Sequence, residues 1–587
     1  MKQFFKFFFA SMLGFIIGSI VLFFIFIAIL AGIVSSTSNK KTVELKEKSI
    51  LKITLAEPVT ERTPSNPFKN WMSGEIKSNP QPGLYDIVKL INKSGADENI
   101  SGLYINVSDV SAGMASLEEI RNALVEFKKS KKFVVAYSEF YSQKGYYLAS
   151  VADEIYLHPE GGMEWKGMGA QLLFFKNMFE KIGVEPQIIR HGKFKSAIEP
   201  LIAEKMSDEN RAQMKALIDD LWRNSSSQIA KSRGKTYEEF EMLADSLAIE
   251  TPADAVKYGL VTKTIYEDEV LALLKKKSNA TDQPKFISME RYANTPEKNV
   301  KYSANKIALV FANGDINSGK GNDESIGSET LAETLRKART DEKVKAVVFR
   351  VNSPGGSALA SDVIWREIEL TRKVKPVVVS MGDFAASGGY YISCAANKIY
   401  AHQSTITGSI GVFGVMFNAQ KLMEEKLGVT TDTYKTSDYS DIGSIARPLT
   451  AAERNKVQRS VEEVYETFTS RVADGRHIIQ ADVDSLGQGR VWSGEDALQL
   501  KLIDAFGGIQ DAIKEAASLA KLSEYRISEL PIQKDPFMEL LQDGSEDVRK
   551  SIIKAELGEN ASYYQSLKKL MTLQGVQARL PFELKLD

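Results

Sequence analysis

Two short runs in the rear part of the chain contain the residue types an acyl-transfer site needs. Asn352-Ser353-Pro354-Gly355-Gly356-Ser357 and Ala386-Ser387-Gly388-Gly389-Tyr390-Tyr391 each follow a β-branched or apolar run and lead into a helical stretch. A Pro-Gly-Gly turn after a strand leaves backbone N–H groups free to point into a cleft, as stabilisation of an oxyanion requires. A serine between a small residue and two glycines, at a helix entrance, presents its hydroxyl beside another free N–H. Either run alone is an ordinary turn or helix entry. Paired at this spacing, they describe attack by a serine hydroxyl on a carbonyl.

Such a hydroxyl needs a base. His402 and His191 are the histidine candidates, but His402 falls in an apolar stretch that recurs around His158 and reads as structural. His191 opens the run His191-Gly192-Lys193-Phe194-Lys195-Ser196-Ala197-Ile198-Glu199-Pro200, which offers two lysines instead. A lysine acts as a base near neutral pH only if burial lowers its pKa from about 10.4 by about 3 units, at a cost of about 4 kcal/mol. On the residues alone, Lys193 and Lys195 stand equal.

The elements that must hold these groups follow an α/β pattern. Apolar runs at Ile50–Leu55, Leu103–Val107, Phe133–Tyr137, Ile307–Ala312, Ala346–Val351 and Val377–Ser380 alternate with amphipathic stretches, which predicts parallel sheets with crossover helices. The chain also repeats itself. Gly145–His158 (GYYLASVADEIYLH) matches Gly389–His402 (GYYISCAANKIYAH) at an offset of 244, and Lys181–Val184 matches Lys426–Val429 at 245. One structural unit used twice explains this. At those offsets Ser387 faces Gln143 and Lys195 faces Ser440, so neither candidate recurs in the other half. A single site shared by both halves follows.

Composition narrows the classes. The 75 Lys+Arg against 76 Asp+Glu give no basic excess for nucleic acid, and one cysteine (Cys394) with four scattered histidines speaks against a disulfide framework or a structural zinc site. From Phe7 to Val34 no residue is charged, and 28 apolar-rich residues suffice to cross a hydrocarbon core of about 30 Å. The stretch exceeds the apolar region of about 7–15 residues in a cleaved signal peptide, so it reads as an anchor. Lysines on both sides leave its orientation undecided by charge.

The run Phe-Lys-Ser-Ala-Ile-Glu-Pro ending at Pro200, with Ser-Gly-Gly-Tyr, Asn-Ser-Pro-Gly-Gly and Thr407-Gly408-Ser409-Ile410-Gly411, resembles the long, two-repeat form of the signal peptide peptidase A (protease IV) family. The resemblance covers nearly all of the chain beyond the anchor. It implies a Ser/Lys dyad split between the repeats, with Ser387 as nucleophile, Lys195 as general base and Ser409 orienting the lysine. It implies an oxyanion hole of Gly388 and the Gly355-Gly356 turn, Gly356 being the preferred member, and no metal or organic cofactor. It further implies tandem crotonase/Clp-like repeats, a bowl-shaped homotetramer, released signal peptides as substrates, and a bacterial inner membrane with the body on the extracytoplasmic side. The expected divisions are an anchor (1–37), a first repeat (38–275), a linker (276–305), a second repeat (306–530) and a helical tail (531–587). Two rival readings are a crotonase-like acyl-CoA enzyme and a non-catalytic membrane scaffold.

Overall fold

The computed structural model describes residues 2–38, 43–64, 80–296, 303–533 and 575–580, with scattered helical positions between 553 and 568. The first helix, Lys2–Ser38, contains an apolar span from Gln3 to Ile25 that makes no buried contact with the rest of the protein. At 1.5 Å per residue its 23 residues reach about 35 Å, enough for a bilayer core. Much of the expected linker is described, but 297–302 and most of the expected tail lie outside the described residues.

Strands β1 (Ser49–Ile53), β2 (Ile100–Ile105), β3 (Phe133–Tyr141), β4 (Glu154–Met163), β5 (Glu185–Arg190), β6 (Lys263–Thr264) and β7 (Lys285–Ser288) come from the first half. The second half supplies β8 (Lys306–Asn313), β9 (Asp315–Asn317), β10 (Ser325–Gly327), β11 (Val344–Ser353), β12 (Gly355–Ser357), β13 (Val377–Ala386), β14 (Lys398–Ala401), β15 (Ile406–Gly408) and β16 (Phe413–Asn418). It continues with β17 (Val491–Ser493), β18 (Ala505–Phe506), β19 (Arg526–Leu530) and, near the C-terminal end, β20 (Val576–Arg579). Within the expected helical tail the described positions between 553 and 568 are helical, and Val576–Arg579 forms the strand β20.

Two parallel sheets carry the halves. One runs β6-β4-β3-β2-β1-β7; the other runs β17-β15-β13-β11-β8-β19, with β14 beside β13 and only β17 antiparallel. Sheets covered on both faces need apolar side chains on both, which is why Ile307 through Ala312 are all buried. A third sheet, β10-β9-β12-β20-β16-β5, joins the halves: β5 pairs antiparallel with β16, Arg190 opposite Phe413. That pairing delivers the chain just past β5, including Lys195, to the second half.

A buried ionic seam fastens the same joint. Arg350, on β11, lies 2.8 Å from Glu61 and 3.1 Å from Glu119, both from the first half. His402 sits 3.4 Å from Glu119, and the Ser116 backbone N–H donates to Asp383 on β13 at 2.9 Å. Burial opposes ionisation of Glu119, yet Arg350 and His402 outweigh it and bring its carboxyl down to about 2. Burial acts against a charged imidazole too, but the two glutamates beside His402 raise its pKa. His402 thus belongs to the seam.

Candidate active site

Ser387 stands between the end of β13 and the helix Gly388–Ser393, with φ 55° and ψ −113°. A non-glycine residue held at positive φ stores about 1–3 kcal/mol and persists only where its surroundings over-determine it. Here the Ser387 N–H donates to the Gly408 carbonyl at 2.8 Å and the Ser387 carbonyl accepts from the Tyr391 N–H at 2.8 Å. The sharp turn from strand to helix projects the hydroxyl out of the sheet, as in a nucleophile elbow.

Lys195 reaches that hydroxyl from the other half. Its Nζ lies 2.8 Å from Ser387 Oγ, 3.0 Å from Ser409 Oγ and 3.2 Å from the Ser409 carbonyl oxygen. Ser387, Lys195 and Ser409 have no exposed surface, while Lys193 is exposed. Of the two lysines, Lys195 is the one that is buried and within hydrogen-bond distance of Ser387. Burial also pushes the Lys195 amine well below its ordinary pKa.

The hydrogen-bond inventory closes in both protonation states. As an ammonium, Lys195 donates to Ser387 Oγ and to the two Ser409 oxygens, and the Ser387 hydroxyl turns to the Gly411 carbonyl 3.3 Å away. As an amine, it keeps its two donations to Ser409 and accepts the Ser387 proton on its lone pair. Ser409 can accept because its own hydroxyl donates to the Gly489 carbonyl at 3.3 Å. The two states differ by one proton, which the ammonium gives up to become the amine, and the Ser387 hydroxyl then turns from Gly411 to Nζ.

Residues not singled out in the sequence hold the lysine in place. The Phe194 N–H donates to Gln488 O at 3.0 Å, and Gln213 Nε2 donates to Ser196 Oγ at 2.7 Å and to Phe194 O at 3.2 Å. Glu199 accepts from Asn210 Nδ2 at 2.8 Å and from the Ser207 N–H at 3.2 Å. A Cβ on Gly489 would stand 2.6 Å from Lys195 Cβ, so only glycine fits against it. The Asp208–Ser232 helix carries Asn210 and Gln213 on one face, a spacing common to many helices.

The glycine turn lies beside the serine. At Gly355 φ is 98°, and a Cβ there would stand 2.7 Å from the Gly388 nitrogen. Gly356 sits opposite Ile316 of β9 on one side and Ala578 of β20 on the other. Gly355 is therefore in close approach to Gly388, the residue that follows Ser387. The histidine candidates lie elsewhere: His191 stacks on Tyr465 with ring centroids 3.8 Å apart, and His402 belongs to the seam. Among the described residues no three His, Cys, Asp or Glu side chains are grouped to hold a metal ion.

A family profile described as Peptidase family S49 matches the chain twice, at residues 126–281 and 369–523. The chloroplastic serine protease SPPA of Arabidopsis thaliana is 34% identical over 529 residues, covering 87% of this chain and 76% of that protein. Protease 4 of Haemophilus influenzae is 35% identical over 518 residues, covering 85% and 84%. Among solved structures, a mutant ClpP1 of Listeria monocytogenes matches 35% of this chain and 94% of its own, at 15% identity and a TM-score of 0.24.

Proposed function

Because this chain belongs to peptidase family S49, carrying its domain twice in the long form of the SPPA and protease 4 serine peptidases, we propose that it hydrolyses peptide bonds with a Ser387/Lys195 dyad. One observation carries the reading: a buried amine of the first half, 2.8 Å from a strained serine hydroxyl of the second.

Neutral Lys195 takes the Ser387 proton as Oγ attacks the peptide carbonyl. The Gly356 and Gly388 N–H groups stabilise the tetrahedral oxyanion, and Lys195 then protonates the leaving amine. Water, activated by the same lysine, attacks the acyl-enzyme and releases Ser387. Ser409 keeps Nζ aimed at Oγ throughout and is a positioning residue. Burial supplies the base: no neighbouring cation is needed to lower its pKa.

The substrates are extended apolar peptides at a membrane, released signal peptides foremost. The Lys2–Ser38 helix anchors the enzyme, with the body on the extracytoplasmic side of a bacterial inner membrane. Residues 38–275 and 306–530 form the two repeats, and four chains assemble with their sites facing a shared interior. No cofactor takes part.

The test is Lys195→Ala in the full-length protein, assayed on an apolar peptide alongside labelling of Ser387 by a serine-reactive probe. Hydrolysis is expected to fall by about 10³-fold or more with an unchanged unfolding midpoint. The wild-type rate should climb with pH through the lowered amine pKa, because the deprotonated form is the base. Full activity in the variant, or a rate that falls as pH rises through neutrality, rules out Lys195 as base.

A further inference from the structure

The first half has a cavity at the place where the second half has its buried serine and lysine. At the offset of 244, Phe140, Gln143, Tyr147 and Trp165 of its walls correspond to Phe384, Ser387, Tyr391 and Ser409. One contact is shared as well: Gln143 Nε2 donates to the Gly167 carbonyl at 2.9 Å, as the Ser387 hydroxyl does to the matching Gly411 carbonyl at 3.3 Å. In the second half Lys195 ends between Ser387 and Ser409. In the first half the matching space is open and measures about 370 Å³. Volumes from about 300 Å³ upward are those of ligand sites.

The polar groups around the cavity are already engaged. The Ser142 hydroxyl donates to Asp109 at 2.7 Å and the Ser225 hydroxyl to the Leu221 carbonyl at 2.9 Å. The Trp165 indole N–H donates to the Phe240 carbonyl at 2.9 Å, and the Tyr147 hydroxyl to Gln228 at 2.7 Å. What remains for an occupant is aromatic and thioether surface, from Trp165, Trp222, Met114 and Met168. Two lysines, Lys144 and Lys166, and two carboxylates, Asp109 and Glu164, also line the cavity and balance in charge. Such walls favour an uncharged apolar side chain, and methionines let them adapt to more than one.

Gln143 brings an amide to the position where the second half has its hydroxyl. Its Oε1 accepts from the N–H groups of Lys166 and Gly167, each at 3.0 Å, so this side chain fixes the wall and attacks nothing. The strand-to-helix turn and the segment facing it are kept, while the reacting groups are exchanged. A cleft altered in that way holds a peptide and does not cut it.

We propose that the first-half cavity is a second peptide site, which binds one large apolar side chain, such as Leu or Phe, of an extended peptide. That the ligand is a peptide rests on the peptidase reading of the matching site in the second half; that its side chain is apolar rests on the walls.

The test uses the full-length chain with Ser387→Ala and a labelled apolar peptide that carries benzoylphenylalanine. Irradiation should attach this peptide to the cavity, at Met168 or Trp222, as read by mass spectrometry of the digested adduct. An unlabelled peptide with Leu at the same place should suppress that attachment at about tenfold lower concentration, or less, than the peptide with Asp there. Met168→Arg, and separately Trp222→Ala in case the first fails to fold, should reduce the attachment about tenfold or more at an unaltered unfolding midpoint. Absence of attachment at the cavity overturns the proposal, and it is also the result that a cavity closed by a second copy of this chain would give. Equal suppression by the Leu and Asp peptides, or undiminished attachment in both variants, overturns it too. If Ser387→Ala still hydrolyses the peptide, the catalytic reading fails, and attachment at Met168 or Trp222 decides the second site independently.

Discussion

Two helix entrances 244 residues apart begin with the same Gly-Tyr-Tyr. Below that point they agree closely. Tyr146 is buried with its hydroxyl donating to the Leu260 carbonyl at 2.6 Å, and Tyr390 is buried with its hydroxyl donating to the Leu502 carbonyl at 2.8 Å. Just before the glycines they part. In the first half Ser142 has φ −66° and caps its helix by accepting from the Gly145 N–H, while Gln143 accepts from the N–H groups of Lys166 and Gly167, each at 3.0 Å. In the second half the equivalent of Gln143 is Ser387, turned to φ 55° beside a buried amine.

The surroundings differ in the same sense. Ser111 and Ala112 occupy the positions that the offset assigns to Gly355 and Gly356. The first half keeps an open cavity of about 370 Å³ lined by Gln143, Lys144, Trp165, Met168 and Trp222, and the lysines that line it, Lys144 and Lys166, are not buried. The repeat thus preserves what packs, namely the helix and the tyrosine that ties it to the next segment. The halves differ in one turn, one φ angle and a glycine pair, on a scaffold they share.

Exchanging the two residues tests that division most severely. Ser387→Gln should reduce peptide hydrolysis by about 10⁴-fold, and Gln143→Ser should create no activity in a Ser387→Gln background, because no buried amine waits there. Recovery of turnover in the double variant breaks the comparison.

A second test puts a side chain into the glycine turn. Gly355→Ala puts a methyl group where the Ala578 carbonyl and the Gly388 nitrogen already approach, at a residue with φ 98°. The expected loss is about 1–3 kcal/mol of stability, read from denaturant midpoints, together with a fall in kcat of about 10²-fold or more. Ser111→Ala at the matching position should leave both within error.

The smallest expected effect concerns what the halves share. Tyr146→Phe and Tyr390→Phe each remove one buried hydrogen bond and should each destabilise by about 1 kcal/mol, with the partner carbonyl left unpaired. A large disparity between them in thermal unfolding would show that the two helix anchors are not equivalent.

Much of this architecture was legible in the residues. The apolar runs near Leu103, Phe133, Ile307, Ala346 and Val377 are strands of parallel sheets, the alternation with helices held, and the repeat appears as matched helix anchors, because burial on both faces and 3.6-residue periodicity leave local marks. The turns at Ser387-Gly388 and Gly355-Gly356 were legible from their residue types, because turn geometry is local too.

What only the tertiary structure decided depends on parts of the chain far from each other. Nothing local distinguishes Lys195 from Lys193; the pairing of β5 with β16 buries one and leaves the other in water, and burial lowers the pKa of the buried amine. The roles of Gln213 and Gly489 in holding that lysine come from contacts across the fold. Val576–Arg579 is too short for a period to mark it as a strand, and it becomes one because β12 and β16 offer it two unfilled edges.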